Sequence, residues 1–153
     1  MQPGASPSPD SVSCLIPNRR EDIERAEEML LAAMARHAYP DAARFAVRLA
    51  LEESLVNAFR HGHKGLPADT PVRVEFAVTG DQVDLAIEDQ GPGFKPEDVP
   101  DPTLDENIER PTGRGLLLMR AYMARVEYVG RGNRVEMTYR RPAPAQPGDS
   151  ATE

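Results

Sequence analysis

Three short polar segments, two of them rich in glycine, follow one another along this chain, within or next to predicted helices and strands. They are residues 53–57 (ESLVN), 89–93 (DQGPG) and 112–116 (TGRGL). The first lies in a helical pattern, the second directly follows a strand pattern, and the third opens an apolar helical run. Each motif alone is weak, but their order and spacing allow one small domain to hold all three.

Alternating apolar and polar residues predict a sheet built largely from hairpins. Apolar residues at positions 72, 74, 76 and 78 share one face, and Gly80-Asp81 forms a tight turn into a second alternating strand. A further hairpin surrounds Gly132, and Pro17 ends a short strand near the N-terminus. Strands are therefore predicted at residues 11–16, 72–78, 83–88, 125–130 and 133–140.

Helices are predicted on both sides of the first hairpin. The first is capped by Asn18 and stopped by Pro40, the second is capped by Asp41 and runs to about Arg60, and a third covers residues 115–123. The apolar stripe of the second helix is predicted at Phe45, Leu49 and Val56. These elements predict an α/β (α+β) two-layer sandwich, with a mixed, mostly antiparallel sheet covered on one face by helices.

Composition narrows the class of protein. A chain of 153 residues with 40% hydrophobic residues is expected to form one soluble domain at residues 11–140, flanked by proline-rich disordered tails at residues 1–10 and 141–153. The net charge of −7 argues against direct nucleic-acid binding. No apolar run is long enough to span a membrane and no signal core is evident, so we expect a cytoplasmic protein without a membrane partner.

The first motif places a carboxylate and a carboxamide on one helix face. Glu53, Asn57 and His61 are four residues apart and stack one turn above another in an α-helix. Asn57 offers a neutral oxygen to Mg²⁺ shared with phosphate oxygens, and Glu53 can take a proton from a hydroxyl or water that attacks a γ-phosphate. The alternative is a solvated helix edge with ordinary pairs of this spacing, and His61 suits a structural role better than a ligand's.

The second and third motifs suit the base and the phosphates of a nucleotide. Asp89 ends a strand and is an acceptor when ionised, so it can receive the exocyclic amine of adenine, while Gly91 and Gly93 allow close approach. The alternative for the second and the third motif alike is a plain glycine turn without a ligand. The third motif opens a helix and offers unpaired N–H groups to an anion, and we expect the long loop at residues 96–111 to act as a lid. Its residues are Thr112, Gly113, Arg114, Gly115 and Leu116.

Taken together, the three motifs resemble the N, G1 and G2 boxes of the GHKL (histidine-kinase-like) ATP-binding fold. Residues 49–62 and 112–119 are similar to the short anti-sigma factor serine/threonine kinases of bacteria. The resemblance implies a Mg²⁺-ATP site with Glu53 as the catalytic base, Asn57 as the metal ligand and Asp89 as the adenine contact. It further implies that the glycine motifs bind nucleotide, Gly91 and Gly93 among them.

The resemblance also implies partners. In this family the domain phosphorylates a serine on an anti-anti-sigma (STAS-like) protein and holds a sigma factor inactive, and its members pair through the sheet face, so a homodimer is expected. One departure is that Asn133-Arg134 stands where the family often has a Thr-Thr pair near adenine.

Other members of the GHKL class are alternatives as well. A histidine kinase would need an upstream helical hairpin with a phosphorylatable histidine, and gyrase-like activity would need further domains, so neither is the expected function. The remaining alternative is a non-catalytic ATP-binding module that sequesters a sigma factor or another regulator.

Overall fold

A computed structural model gives the structure of residues 10–92 and 120–142. Within these ranges, two long helices lie between the first and second of five strands. The elements are β1 (Ser11–Ile16), α1 (Arg20–Arg36), α2 (Asp41–Asn57), β2 (Val72–Val78), β3 (Gln82–Glu88), β4 (Arg125–Val129) and β5 (Arg134–Arg140). Residues 120–122 are also helical.

The strands form one five-stranded sheet in the order β1-β2-β3-β5-β4. Its four pairings are all antiparallel. The predicted turn at Gly80-Asp81 is confirmed, because the N–H of Thr79 donates to the Gln82 carbonyl at 3.0 Å. The hairpin around Gly132 is confirmed as well, and this glycine has a φ of +92°, which favours a residue without a side chain. The sheet order brings the ends of β3 and β5 side by side.

The core lies between one face of the sheet and the two helices. Every second residue of β2 is buried, as the alternating pattern predicted. Leu30 and Met34 of α1, Leu51 of α2 and Ile87 of β3 are buried to 2% exposure or less and pack in the same cluster. The predicted two-layer α+β sandwich is therefore confirmed.

The buried face of α2 differs from the predicted stripe. Phe45 is 59% exposed and Val56 is 38% exposed, so neither belongs to the core, and the Phe45 ring instead lies edge-to-face with Tyr122 at 6.4 Å. The buried residues are Ala43, Ala46, Val47, Ala50, Leu51, Ser54 and Leu55. The prediction followed the large apolar side chains, whereas more than half of the buried residues are alanine or serine.

Both predicted helix caps are corrected by the structure. The residue before α1 is Arg19 rather than Asn18, and it makes no side-chain capping bond. Pro40 precedes α2, so Asp41 is the first helical residue and its carboxylate pairs with Arg44 instead of a backbone N–H. An acid in the first turn still favours the helix because it faces the positive end of the dipole.

Residues at the edges of the two predicted tails contact the domain. Asp10 is 5% exposed and accepts hydrogen bonds from Arg36, with His37 Nε2 at 2.7 Å from its other oxygen. At the other end, the guanidinium of Arg141 lies 4.0 Å from the centre of the Tyr39 ring. The rest of the predicted tails, the loop at residues 96–111 and the start of the third helix lie outside the described residues.

Candidate functional site

The helix that carries the first motif changes geometry where the motif ends. α2 stops at Asn57, and residues Ala58–Gly62 form a π-helical turn. The N–H of His63 donates to the Ala58 carbonyl at 2.9 Å, which is the i to i+5 bond of a π-helix. Such turns are rare and occur frequently at functional sites. The predicted helix end near Arg60 therefore lies inside a widened turn.

The widened turn lies against the segment that follows β3. A Cβ atom on Gly62 would be 2.3 Å from Oδ2 of Asp89, and a Cβ atom on Gly91 would be 1.9 Å from the carbonyl oxygen of Gly62. Both distances are far shorter than van der Waals contact, so a side chain at either glycine would displace its neighbour. The structure therefore brings the π-helical turn that follows the first motif into contact with the second motif.

Asp89 is held in this position by its backbone and its side chain. Its N–H donates to the Asn133 carbonyl at 2.8 Å, and the Asn133 amide donates back to the Asp89 carbonyl at 2.7 Å. The N–H of Gly91 donates to Asp89 Oδ1 at 2.8 Å. Burial raises the pKa of Asp89, and the Gly91 bond opposes this shift. The result is an oriented, half-buried carboxylate suited to a ligand that donates a hydrogen bond.

Asn133 contacts the backbone of Asp89 from the end of the neighbouring strand. Its side-chain amide donates to the backbone of Asp89, so it stabilises the carboxylate's position from the neighbouring strand end. Arg134, the next residue, donates on the opposite face of the sheet to Glu75 at 2.7 Å and to Glu88 at 3.1 Å. Of the two residues that replace the family's Thr-Thr pair, Asn133 therefore belongs to the candidate site and Arg134 to the open face of the sheet.

Glu53 and Asn57 are half-buried on α2, about 6 Å apart along the helix axis. In the part of the chain that the structure describes, neither side chain makes a hydrogen bond or an ion pair. The neighbouring Glu52, in contrast, pairs with Arg48 at 3.0 Å. Burial raises the pKa of Glu53, and the charge of Glu52 adds to the effect. These observations disfavour the interpretation of this row as an ordinary paired helix edge.

Two histidines, one in the π-helical turn and one directly after it, have opposite environments. His61 is exposed, and the four-residue repeat that would stack it on Asn57 does not hold within a π-helical turn. His63 is 7% exposed, and its Nε2 accepts the N–H of Gln90 at 2.9 Å. Sequence analysis missed His63, and no sequence pattern separates the two, because the burial of His63 depends on the widened turn.

The remaining predicted site residues lie outside the described ranges. These are Gly93 of the second motif and Thr112, Gly113, Arg114, Gly115 and Leu116 of the third. Within residues 10–92 and 120–142, no group of three or more His, Cys, Asp or Glu side chains could hold a metal.

The two-layer sandwich, the polar row on α2 and the Asp-Gly turn beside its end define the class as a GHKL-type nucleotide-binding domain. The sequence matches the family model described as histidine kinase-like ATPase domain over residues 16–139. The chain belongs to this family, and the resemblance seen in the three motifs is confirmed at that level.

One further comparison and one feature of the helices gave negative results. A search of curated proteins found no significant match to this chain. In residues 10–92 and 120–142, no helix combines the length and the apolar character needed to cross a bilayer.

Proposed function

We propose that this chain is an anti-sigma-type regulator that binds Mg²⁺-ATP and phosphorylates a serine or threonine of an anti-anti-sigma (STAS-like) partner. Membership of the histidine kinase-like ATPase family supports ATP binding. The observation that carries the kinase proposal is the half-buried and unpaired carboxylate of Glu53, one helical turn before Asn57. A domain that only bound nucleotide would have no need of a basic group held ready in this way.

Glu53 is the proposed general base. Its carboxylate accepts the proton of the partner's hydroxyl as that oxygen forms a bond to the γ-phosphorus, and the bond to the bridging oxygen of ADP breaks. Burial raises the pKa of Glu53 towards the working pH, which makes its carboxylate a stronger base. The absence of a competing ion pair in the described residues leaves this carboxylate free to act.

Asn57 is the proposed protein ligand of the metal. Its carboxamide lies at the end of α2 without a partner in the described residues, and its oxygen is a hard, neutral ligand. A Mg²⁺ ion bound there would neutralise charge on the phosphate oxygens during transfer. Replacement by Ala would remove a ligand without changing the base at Glu53.

Asp89 is the proposed adenine contact. The exocyclic amine of adenine donates to a carboxylate, whereas guanine presents a carbonyl oxygen at the same position, which a carboxylate repels. The hydrogen bonds from Asn133 and Gly91 hold Asp89 in one orientation, and this supports selection of one base. The glycine motifs that follow are proposed to hold the phosphates.

Phosphoryl transfer is tested by incubating the protein with labelled ATP and the STAS-like protein encoded nearest to it, followed by mapping of any phosphorylated residue. Glu53→Gln should lose at least about a hundredfold in transfer rate while ATP affinity changes less than about threefold, because a base acts on the nucleophile and not on the bound nucleotide. Glu52→Gln, at the adjacent residue on the same helix, is the matched control and should lose far less, because Glu52 acts on transfer only through its effect on the pKa of Glu53. Equal transfer rates for the wild type and Glu53→Gln would refute the assignment of the base.

The same experiment separates a kinase from a binding module. ATP binding by calorimetry without phosphorylation of any regulator tested would favour a non-catalytic module that sequesters a sigma factor. In that case Glu53→Gln would leave sequestration unchanged.

We further propose that the protein forms a homodimer through the open face of the sheet. Leu15 lies on this face at 53% exposure, beside a charged surface in which Arg134 pairs with Glu75, Glu88 and Glu136. Sedimentation of the wild type and of Leu15→Glu tests this proposal. A dimer that Leu15→Glu converts to a monomer is expected, and a wild-type monomer at all concentrations would contradict it.

A further inference from the structure

His63 is the buried histidine that directly follows the π-helical turn, and both its backbone and its imidazole are held. Its backbone N–H donates to the Ala58 carbonyl, and its ring lies edge-to-face with Phe59 at 5.8 Å between centroids. Its Nε2 atom accepts the N–H of Gln90 at 2.9 Å. A neutral imidazole with an acceptor at Nε2 is needed for this bond, since a protonated ring has only donors.

The bond reaches the peptide that links Asp89 to the rest of its turn. On the opposite side, Asn133 pairs with the backbone of Asp89, and the Gln90 side chain donates to the Pro71 carbonyl at 2.9 Å. His63 is thus the contact from the π-helical turn, and Asn133 the contact from β5, that together hold one short segment. Loss of the His63 acceptor would leave the Gln90 N–H without this partner. The turn at residues 89–91 would then be held by Asn133 and by the Gln90 side chain, but no longer by a bond to His63.

Greater mobility of this segment would change the direction of the Asp89 carboxylate, which is the proposed contact to the base. Asp89 Oδ1 accepts the N–H of Gly91, two residues further on, so a rotation of the intervening peptide changes the direction of the carboxylate. The direction of this carboxylate determines how well the site discriminates adenine from guanine. It has much less effect on the affinity for the phosphates.

We propose that His63 is a positioning residue that sets the preference of the site for adenine over guanine nucleotides, by holding the Asp89-Gln90-Gly91 turn. This inference rests on the proposed function, in which Asp89 contacts adenine. His63 acts through the turn and contacts no substrate itself.

Two substitutions at His63 separate the acceptor from the size of the side chain. In His63→Gln, the Oε1 atom reaches the position of Nε2 and can accept from Gln90, whereas His63→Leu fills a similar volume without an acceptor. Phe59→Leu is the matched control, because it weakens packing against the same ring and keeps the hydrogen bond. ATP and GTP affinities are measured for each protein by calorimetry with Mg²⁺, alongside thermal unfolding.

The wild type and Phe59→Leu should share the same ratio of ATP to GTP affinity. His63→Leu should lower that ratio by at least about fivefold, which corresponds to a loss of about 1 kcal/mol in discrimination between the two bases. His63→Gln should restore the ratio to within about twofold of the wild type. This rescue is the result that a purely structural role would not give.

Several outcomes would overturn the proposal. An unchanged ratio in folded His63→Leu would do so, as would a loss in His63→Gln equal to that in His63→Leu. If His63→Leu does not fold, His63→Phe replaces it, and failure of both to fold would assign His63 a structural role only. Equal ATP and GTP affinities in the wild type would refute the adenine site and this inference with it, whereas a preference that survives in His63→Leu refutes the inference alone.

Discussion

Gly62→Ala is a single-methyl change that the structure predicts to act on the nucleotide site more than on the fold. The added Cβ would lie 2.3 Å from Oδ2, 2.4 Å from Cγ and 2.9 Å from Oδ1 of Asp89. Ordinary contact needs about 3.4 Å or more, so the carboxylate must move by about 1 Å. Such a move breaks or lengthens the bond from the Gly91 N–H, which is now 2.8 Å long.

The magnitudes for affinity and stability differ. A hydrogen bond to a charged group is worth about 1.5–3 kcal/mol, so a misplaced carboxylate should weaken ATP binding by about 10- to 100-fold. The atoms that must yield belong to a side chain, and Ala favours helical backbone over Gly by up to about 1 kcal/mol, so the stability should change by less than about 1.5 kcal/mol. Gly91→Ala is different because its Cβ meets a backbone oxygen, and we expect a larger loss of stability.

The assay is calorimetric titration with Mg²⁺-ATP and urea unfolding of the same preparations. Gly80→Ala, where a Cβ would meet nothing within 4 Å, is the matched control and should bind ATP as the wild type does. Wild-type affinity in Gly62→Ala would refute the role assigned to the contact between this glycine and Asp89. A loss of affinity that merely follows a loss of stability of several kcal/mol would refute it as well.

Two further predictions concern pH and stability. Burial, together with the nearby Glu52, raises the pKa of Glu27 from 4.5 to about 7. The folded state therefore binds this proton more tightly than the unfolded chain does, and the free energy of unfolding falls as the pH rises across that interval. Glu27→Gln should remove this fall and be more stable by about 1–2 kcal/mol at pH 8 but not at pH 4, measured by urea unfolding; equal pH profiles would contradict it. The hydrogen bond from Arg36 lowers the pKa of Asp10, so its stabilisation is complete above pH 3.8 and is lost as the pH falls through the lower folded value. Asp10→Asn should therefore be less stable than the wild type at pH 7, and the difference should shrink as the pH falls below 3.8; a difference that does not shrink in acid would show that the ion pair is not its source.

The strands were the part of the fold that sequence could predict. Alternation over residues 72–78 and 82–88 identifies one buried face directly, because strand side chains have a period of two and both hairpins carry turn-forming residues. The pairing of β3 with β5, which brings Asn133 to Asp89, is not encoded in any local pattern. It follows from tertiary packing.

The chemistry assigned to Glu53, Asn57 and Asp89 stays a prediction, and the sequence predicted only part of the geometry around them. The apolar stripe of α2 was misassigned because Phe45 and Val56 are exposed, whereas the buried face includes three alanines and Ser54. A π-helical turn has no sequence signature, so the contact of Gly62 with Asp89 and the burial of His63 could not be predicted. These are backbone effects that a helical wheel does not contain.

The central claim is that Asp89 contacts adenine at a site formed by the end of α2 and the turn after β3. Calorimetry of the wild type and of Asp89→Asn, each with Mg²⁺-ATP and Mg²⁺-GTP, tests this claim most directly. The substitution keeps the shape and replaces an acceptor oxygen by a donor. We expect the wild type to bind ATP at least about tenfold more tightly than GTP, and Asp89→Asn to lose ATP affinity by about tenfold or more while remaining folded. Equal wild-type affinities for the two nucleotides, or an Asp89→Asn variant that binds ATP as the wild type does, would contradict the account.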